Sequence, residues 1–189
     1  MNVLKQGRTI LMVALISSLR GIAEEPWQSS WIGVAETEYG KSPTANQWSC
    51  YRKTVHLDAV PRKALARVAV DSKYWLWVNG KLVVFEGGLN RGPAPGAGYY
   101  DTVDLAPYLQ SGENSLAILA WYWGNGGRNS VDSGAGGLLL EADLGDRQLV
   151  SDKSWKVRQH PAYGNTSGDR PSYLYGGHNI GFDARKDIP

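Results

Sequence analysis

Hydrophobic and polar side chains alternate along most of this chain, and nowhere do they recur convincingly at helical spacing. In 48–57 one face starts at Cys50 or Tyr51 and continues through Val55 and Leu57. In 64–71, Ala66, Val68 and Val70 share one side and Arg67 takes the other. Such alternation marks strands with one solvated face. Two more apolar runs, 74–78 and 82–85, flank Asn79-Gly80. Asn-Gly tolerates positive φ at both central turn positions, so the sequence predicts a tight hairpin there. Residues 99–103 and 115–123 predict further strands, the second fed by Ser111-Gly112-Glu113-Asn114. Between them, 104–109 is expected to close into one helical turn capped by Asp104. A first strand is predicted over 31–34. The last two, 137–144 and 154–159, are joined through Gly145-Asp146. About eight short strands separated by Gly/Pro-rich loops predict an all-β jelly-roll sandwich, one domain over 24–160. From 161 to 189 the chain lacks periodicity and reads as an irregular strap or linker towards another domain.

Length and composition narrow this picture. A chain of 189 residues with 42% hydrophobic and 20% charged side chains is sized for a single globular domain. The aromatic content is lopsided, with 8 Trp and 10 Tyr against 2 Phe. Trp and Tyr join an apolar body to a polar tip, which suits binding faces and domain seams as well as cores. At the N-terminus, Lys5 and Arg8 precede the apolar run 10–19 and the small residues around Ala23. That order is a secretory signal, so residues 1–23 are expected to be removed and the protein exported, to the periplasm or the outside. Of 20 basic and 18 acidic side chains, the signal carries Lys5, Arg8 and Arg20, so the formal charge falls from +2 to −1 on its removal. No basic block remains to favour nucleic acid or, after cleavage, a membrane surface; a neutral ligand such as a sugar fits better. Cys50 is the single cysteine and has no internal disulfide partner; a small buried side chain is expected.

The strings YWLWVNGKLVV, YYDTVDLAPYL and GENSLAILAWYWG, with the closing FDARKDIP, resemble the N-terminal β-sandwich of bacterial α-L-rhamnosidase-type glycoside hydrolases. The resemblance runs over 31–189. It implies a galactose-binding-like jelly roll that accompanies a helical catalytic barrel in a longer parent, and no such barrel is present in this sequence. It also implies a calcium ion that holds the sugar in some members, for which Asp101, Asn125 and Asp132 offer oxygens here.

Catalytic constellations are sparse. His56, His160 and His178 are scattered, expected at the surface, and form no metal-binding spacing. There is no G-x-S-x-G elbow, and the Gly-rich stretch 133–137 precedes a strand, unlike a phosphate cradle that opens a helix. A glycosidase needs two carboxylates about 5–9.5 Å apart. Glu86, Asp101, Asp104, Asp132 and Glu141 are the candidates, with Asp104 and Glu113 having simple structural uses. Sugars stack their C–H faces on aromatic rings and hydrogen-bond planar polar groups. Three loops offer both: Asn90 and Arg91 beside Pro93; Tyr99, Tyr100 and Asp101; and Trp121, Trp123, Asn125, Arg128 and Asn129. Trp121 and Trp123 share one side of their strand, as Trp75 and Trp77 do of theirs, and one pair is expected in the core and the other against a neighbour. The expectation is a non-catalytic carbohydrate-binding or docking domain without a cofactor of its own. A small autonomous jelly-roll enzyme and a purely structural interaction module are the alternatives.

Overall fold

The computed structural model describes residues 26–34, 45–88, 99–124, 136–164 and 178–188. Its strands are β1 (Gln47–Leu57), β2 (Leu65–Val70), β3 (Lys73–Val78), β4 (Lys81–Gly88), β5 (Asp101–Asp104), β6 (Gly112–Tyr122), β7 (Leu138–Asp143), β8 (Gln148–Val150), β9 (Lys156–Gln159), β10 (Tyr163–Gly164) and β11 (Gly181–Phe182). Two antiparallel sheets form the sandwich, with strand orders β4-β3-β6-β1-β9 and β5-β2-β7-β8. Alternation places Tyr51, Tyr74, Leu76, Val78, Leu116 and Ile118 of the first sheet against Ala66, Val68, Leu138, Leu140 and Ala142 of the second. These side chains make the main core.

The Asn-Gly hairpin forms as expected: Asn79 and Gly80 have φ of 52° and 75°, and Val78 pairs with Lys81. Asn79 does more than turn the chain. Its backbone N–H donates to Ser115 O at 2.8 Å, and its amide Nδ2 donates to Tyr108 O and to Asn114 Oδ1. Asn114, fully buried, in turn donates to Gln110 O and Gly112 O and accepts from Gln110 N. One end of the sandwich is thereby closed by two amides. The helical turn also forms, as a 3₁₀ turn over Ala106–Tyr108, with Asp104 Oδ1 accepting from Ala106 N and Ala64 N.

Three expectations change. Residues 31–34 contribute a single bridge, Ile32 to Leu138, where a strand was expected. The turn at Gly145-Asp146 leads into β8, a three-residue strand too short to show a period, and only then does the chain reach β9. His160 is buried, at 7% exposure, where a surface position was expected. Residues 1–23, where a secretory signal is expected, lie outside the described residues. Among the described residues no helix is long and apolar enough to cross a membrane.

Candidate functional site

Strand register brings the bases of the candidate loops together at the end opposite Asn79. Lys73 pairs with Gly88 on one side and with Trp121 on the other, and Trp121 pairs with Trp48. The segment that carries Asn90 and Arg91 therefore departs from the same end as the segment that follows Trp123. Asp101 fastens this end: its Oδ2 accepts from Gly88 N at 2.9 Å and from the Tyr74 hydroxyl at 2.9 Å. Gly88 has φ +81°, and a Cβ there would stand 2.6 Å from Ser72 O, so only glycine fits. Asn90, Arg91, Asn125 and Arg128 lie outside the described residues, as do Asn129 and Asp132.

The described candidates have definite partners. Tyr100 lies edge-on to Trp27, with ring centroids 5.5 Å apart, and its ring centroid is 5.6 Å from the Arg67 guanidinium. Trp121 is buried, and its indole donates to Asn46 Oδ1 at 2.8 Å. Trp123 is 7% exposed; its backbone N–H donates to Ser72 Oγ, and its carbonyl accepts from Asn46 N and contacts His178 Nε2 at 2.8 Å. Its indole Nε1 is buried and has no hydrogen-bond partner among the described residues.

The tryptophans form a layer that sequence parity did not show. Trp75 alternates with buried Tyr74 and Leu76, so it faces away from the main core, on the outer face of the five-stranded sheet. There it joins Trp48, Trp121, Trp123 and Leu119 in a second apolar cluster. Trp48 stacks on Trp121 at 4.5 Å and on Trp75 at 5.6 Å, while Tyr163 lies on Trp48 at 3.9 Å and 7°. Of the two expected pairs, Trp121 and Trp123 are buried, in this second cluster and not in the main core between the sheets, while Trp75 and Trp77 are half-buried. Sequence pattern does not mark Trp48 and Tyr163 as members, because Trp48 meets Trp121 and Tyr163 through contacts 73 and 115 residues apart in sequence.

The candidate carboxylates among the described residues, Glu86, Asp101, Asp104 and Glu141, are engaged within the fold. Glu86 pairs with Lys73 at 3.0 Å, and Glu141 takes the Arg67 guanidinium. Burial works against the Glu141 carboxylate, yet the Arg67 hydrogen bond, Gln28 N and the Arg67 charge together hold its pKa below the usual carboxylate range. The Tyr74 hydroxyl is pushed up by burial and by Asp101. Burial also pushes the Cys50 thiol up to about 11, which removes thiolate character near neutral pH. Cys50 is only half-buried and sits on the outer sheet face. Among the described residues, no three of His, Cys, Asp and Glu are grouped to hold a metal ion.

The chain is similar to part of much longer enzymes. An α-L-rhamnosidase from Streptomyces avermitilis is 31% identical over 149 residues, which are 72% of this chain and 13% of that protein. The structure of the GH78 family rhamnosidase of Bacillus sp. GL1 matches with a TM-score of 0.62 and 27% identity, over 74% of this chain and 14% of that one. The Streptomyces avermitilis α-L-rhamnosidase structure, complexed with L-rhamnose, matches with a TM-score of 0.52 and 25% identity, over 71% and 12%. No protein-family model matches the chain.

Proposed function

We propose that this chain is a non-catalytic accessory module of an exported α-L-rhamnosidase-type glycoside hydrolase. Its role is to bind carbohydrate at the loop end, around Asn90, Arg91, Asp101 and the segment beyond Trp123, or to dock beside the catalytic domain of a longer polypeptide. The observation that carries this reading is the proportion of the match: about three quarters of this chain, 74%, corresponds to 14% of the Bacillus enzyme. The engagement of Glu86, Asp101 and Glu141 in structural bonds supports it, because a glycosidase needs two carboxylates free to act on the bond.

The test is an assay of the isolated chain on rhamnosides, where no turnover is expected. Hydrolysis that disappears on substituting Glu86, Asp101 or Glu141 would overturn the proposal in favour of a small autonomous enzyme. The burial of Trp121 and Trp123 favours docking as the second reading, since neither ring offers an open face to a sugar. Arg91→Ala separates the two. A sugar-binding loop end loses affinity for L-rhamnose with its melting temperature unchanged, whereas a docking module shows no affinity to lose.

A further inference from the structure

Among the described residues, the outer face of the five-stranded sheet is covered over one half and open over the other. On the covered half the chain's own C-terminal segment supplies the lid: Tyr163 lies flat on Trp48, and Phe182 tilts against Tyr163 at 5.0 Å. Asp183 N donates to Ala162 O and holds the two passes together. The open half is carried by β3 and β4. Phe85 is 70% exposed and Leu82 45%, with Trp75 and Trp77 half-buried beside them. Phe85 meets Trp75 edge-on, at 6.4 Å and 83°, so one ring forms a floor and the other a wall. Lys73 and Glu86 close one rim as an ion pair, and the Lys73 ammonium stands 5.8 Å from the Trp75 ring. Exposed Arg52 lies in the same cross-strand row as Ala117 and Trp77.

We propose that this open half is a second saccharide platform, on which a neutral pyranose ring lies over Trp75 and Trp77 with its edge against Phe85. The proposal rests on the carbohydrate-binding reading above and adds a site apart from the loop end. Its occupant is indicated by the adjoining half of the same face, where the fold already seats a flat ring parallel to a tryptophan. A pyranose presents a similar flat apolar C–H face, and its hydroxyls would meet Lys73, Glu86 and Arg52 at the rim. The paired charges of Lys73 and Glu86 cancel, which suits a neutral polyol over an anion. Because the rings stand on paired strands, the platform is preorganised.

Intrinsic tryptophan fluorescence of the whole chain, titrated with L-rhamnose and in parallel with D-galactose, tests this. Saturable quenching by at least one sugar is expected. Phe85→Ala and Trp77→Ala should each weaken it by about three- to tenfold, the equivalent of one ring contact. Phe85→Ala should leave the melting temperature unchanged, and Val60→Ala, exposed elsewhere, should leave the affinity unchanged. Wild-type affinity in both ring variants overturns the proposal. If Arg91→Ala alone abolishes binding, the loop-end reading stands and the platform falls. If neither sugar quenches, both fall. If Phe85→Ser dissolves a dimer while sugars change nothing, the face belongs to a second copy of the chain and the proposal is overturned.

Discussion

Arg67 joins the start of the described chain to the four-stranded sheet. Its Nε donates to Glu141 Oε1 at 3.0 Å, and a second guanidinium nitrogen reaches the same carboxylate. The Trp27 ring centroid lies 4.4 Å from the guanidinium, and Gln28 N donates to Glu141 Oε2 at 2.9 Å. Both charged side chains are less than one fifth exposed, so losing one strands the other. Arg67→Ala is therefore expected to lower stability by about 2–3 kcal/mol in a denaturant titration. Arg67→Lys should recover only part of this, because an ammonium cannot make the forked contact. An unchanged midpoint for Arg67→Ala would show that the N-terminal segment is held without Arg67, by the Ile32–Leu138 bridge and by Ser30 N donating to Ser151 O at 2.9 Å. The sequence pattern showed that Arg67 sits opposite Ala66 and Val68. It could not show Glu141 as its partner, because the two are 74 residues apart and meet only through β2–β7 register. For the same reason Tyr100 looked like a free ligand group, whereas its ring lies against Trp27 and Arg67.

At the scale of elements, turns and strands of five or more residues were legible because their signals are local. Asn79-Gly80 fixes its hairpin through backbone φ alone, and alternation marks β1, β2, β3 and β6. Sheet order carries no such local mark. The outer tryptophan layer depends on β1 and β3 both flanking β6, which brings Trp48 and Trp75 to one sheet face. Gly88 shows how tightly the candidate loop is tied to its sheet. A side chain there would meet Ser72 O at 2.6 Å in a left-handed backbone conformation, and Asp101 accepts the Gly88 N–H. Gly88→Ala should cost about 1–3 kcal/mol of stability. Gly80→Ala provides the contrast: the turn is also left-handed, at φ +75°, but nothing lies within 4 Å, so only the backbone penalty of about 1 kcal/mol applies. Equal thermal shifts for the two variants would mean that the approach to Ser72 relaxes without cost.

For the molecule as a whole, the shifted groups predict how stability depends on pH. Burial holds the His160 pKa below its ordinary value of about 6.5, with Asp187 opposing and Arg158 assisting. Its Nδ1 accepts from Ala162 N at 3.2 Å, a bond that requires that nitrogen to be unprotonated. In the window between the folded and ordinary values the unfolded chain binds more protons, so stability rises with pH there. The His160 contribution is therefore complete above about pH 6.5 and is lost as pH falls through the lower folded value. Glu141 and Asp152 are also held low, Glu141 chiefly by Arg67 against its burial and Asp152 by Ser154. Their contribution is complete above about pH 4.5 and disappears only in stronger acid. Acid should thus act in two stages. Because His160 packs edge-on against Tyr163 at 4.8 Å, and Tyr163 lies on Trp48, the first stage should loosen the C-terminal strap from the tryptophan layer. A melting-temperature series from about pH 8 to 3, followed by tryptophan fluorescence, should show an early change that His160→Gln removes and a later one that it leaves in place. A single acid transition, identical in wild type and His160→Gln, would mean that the strap and the sandwich unfold as one unit and that protonating His160 does not separate them.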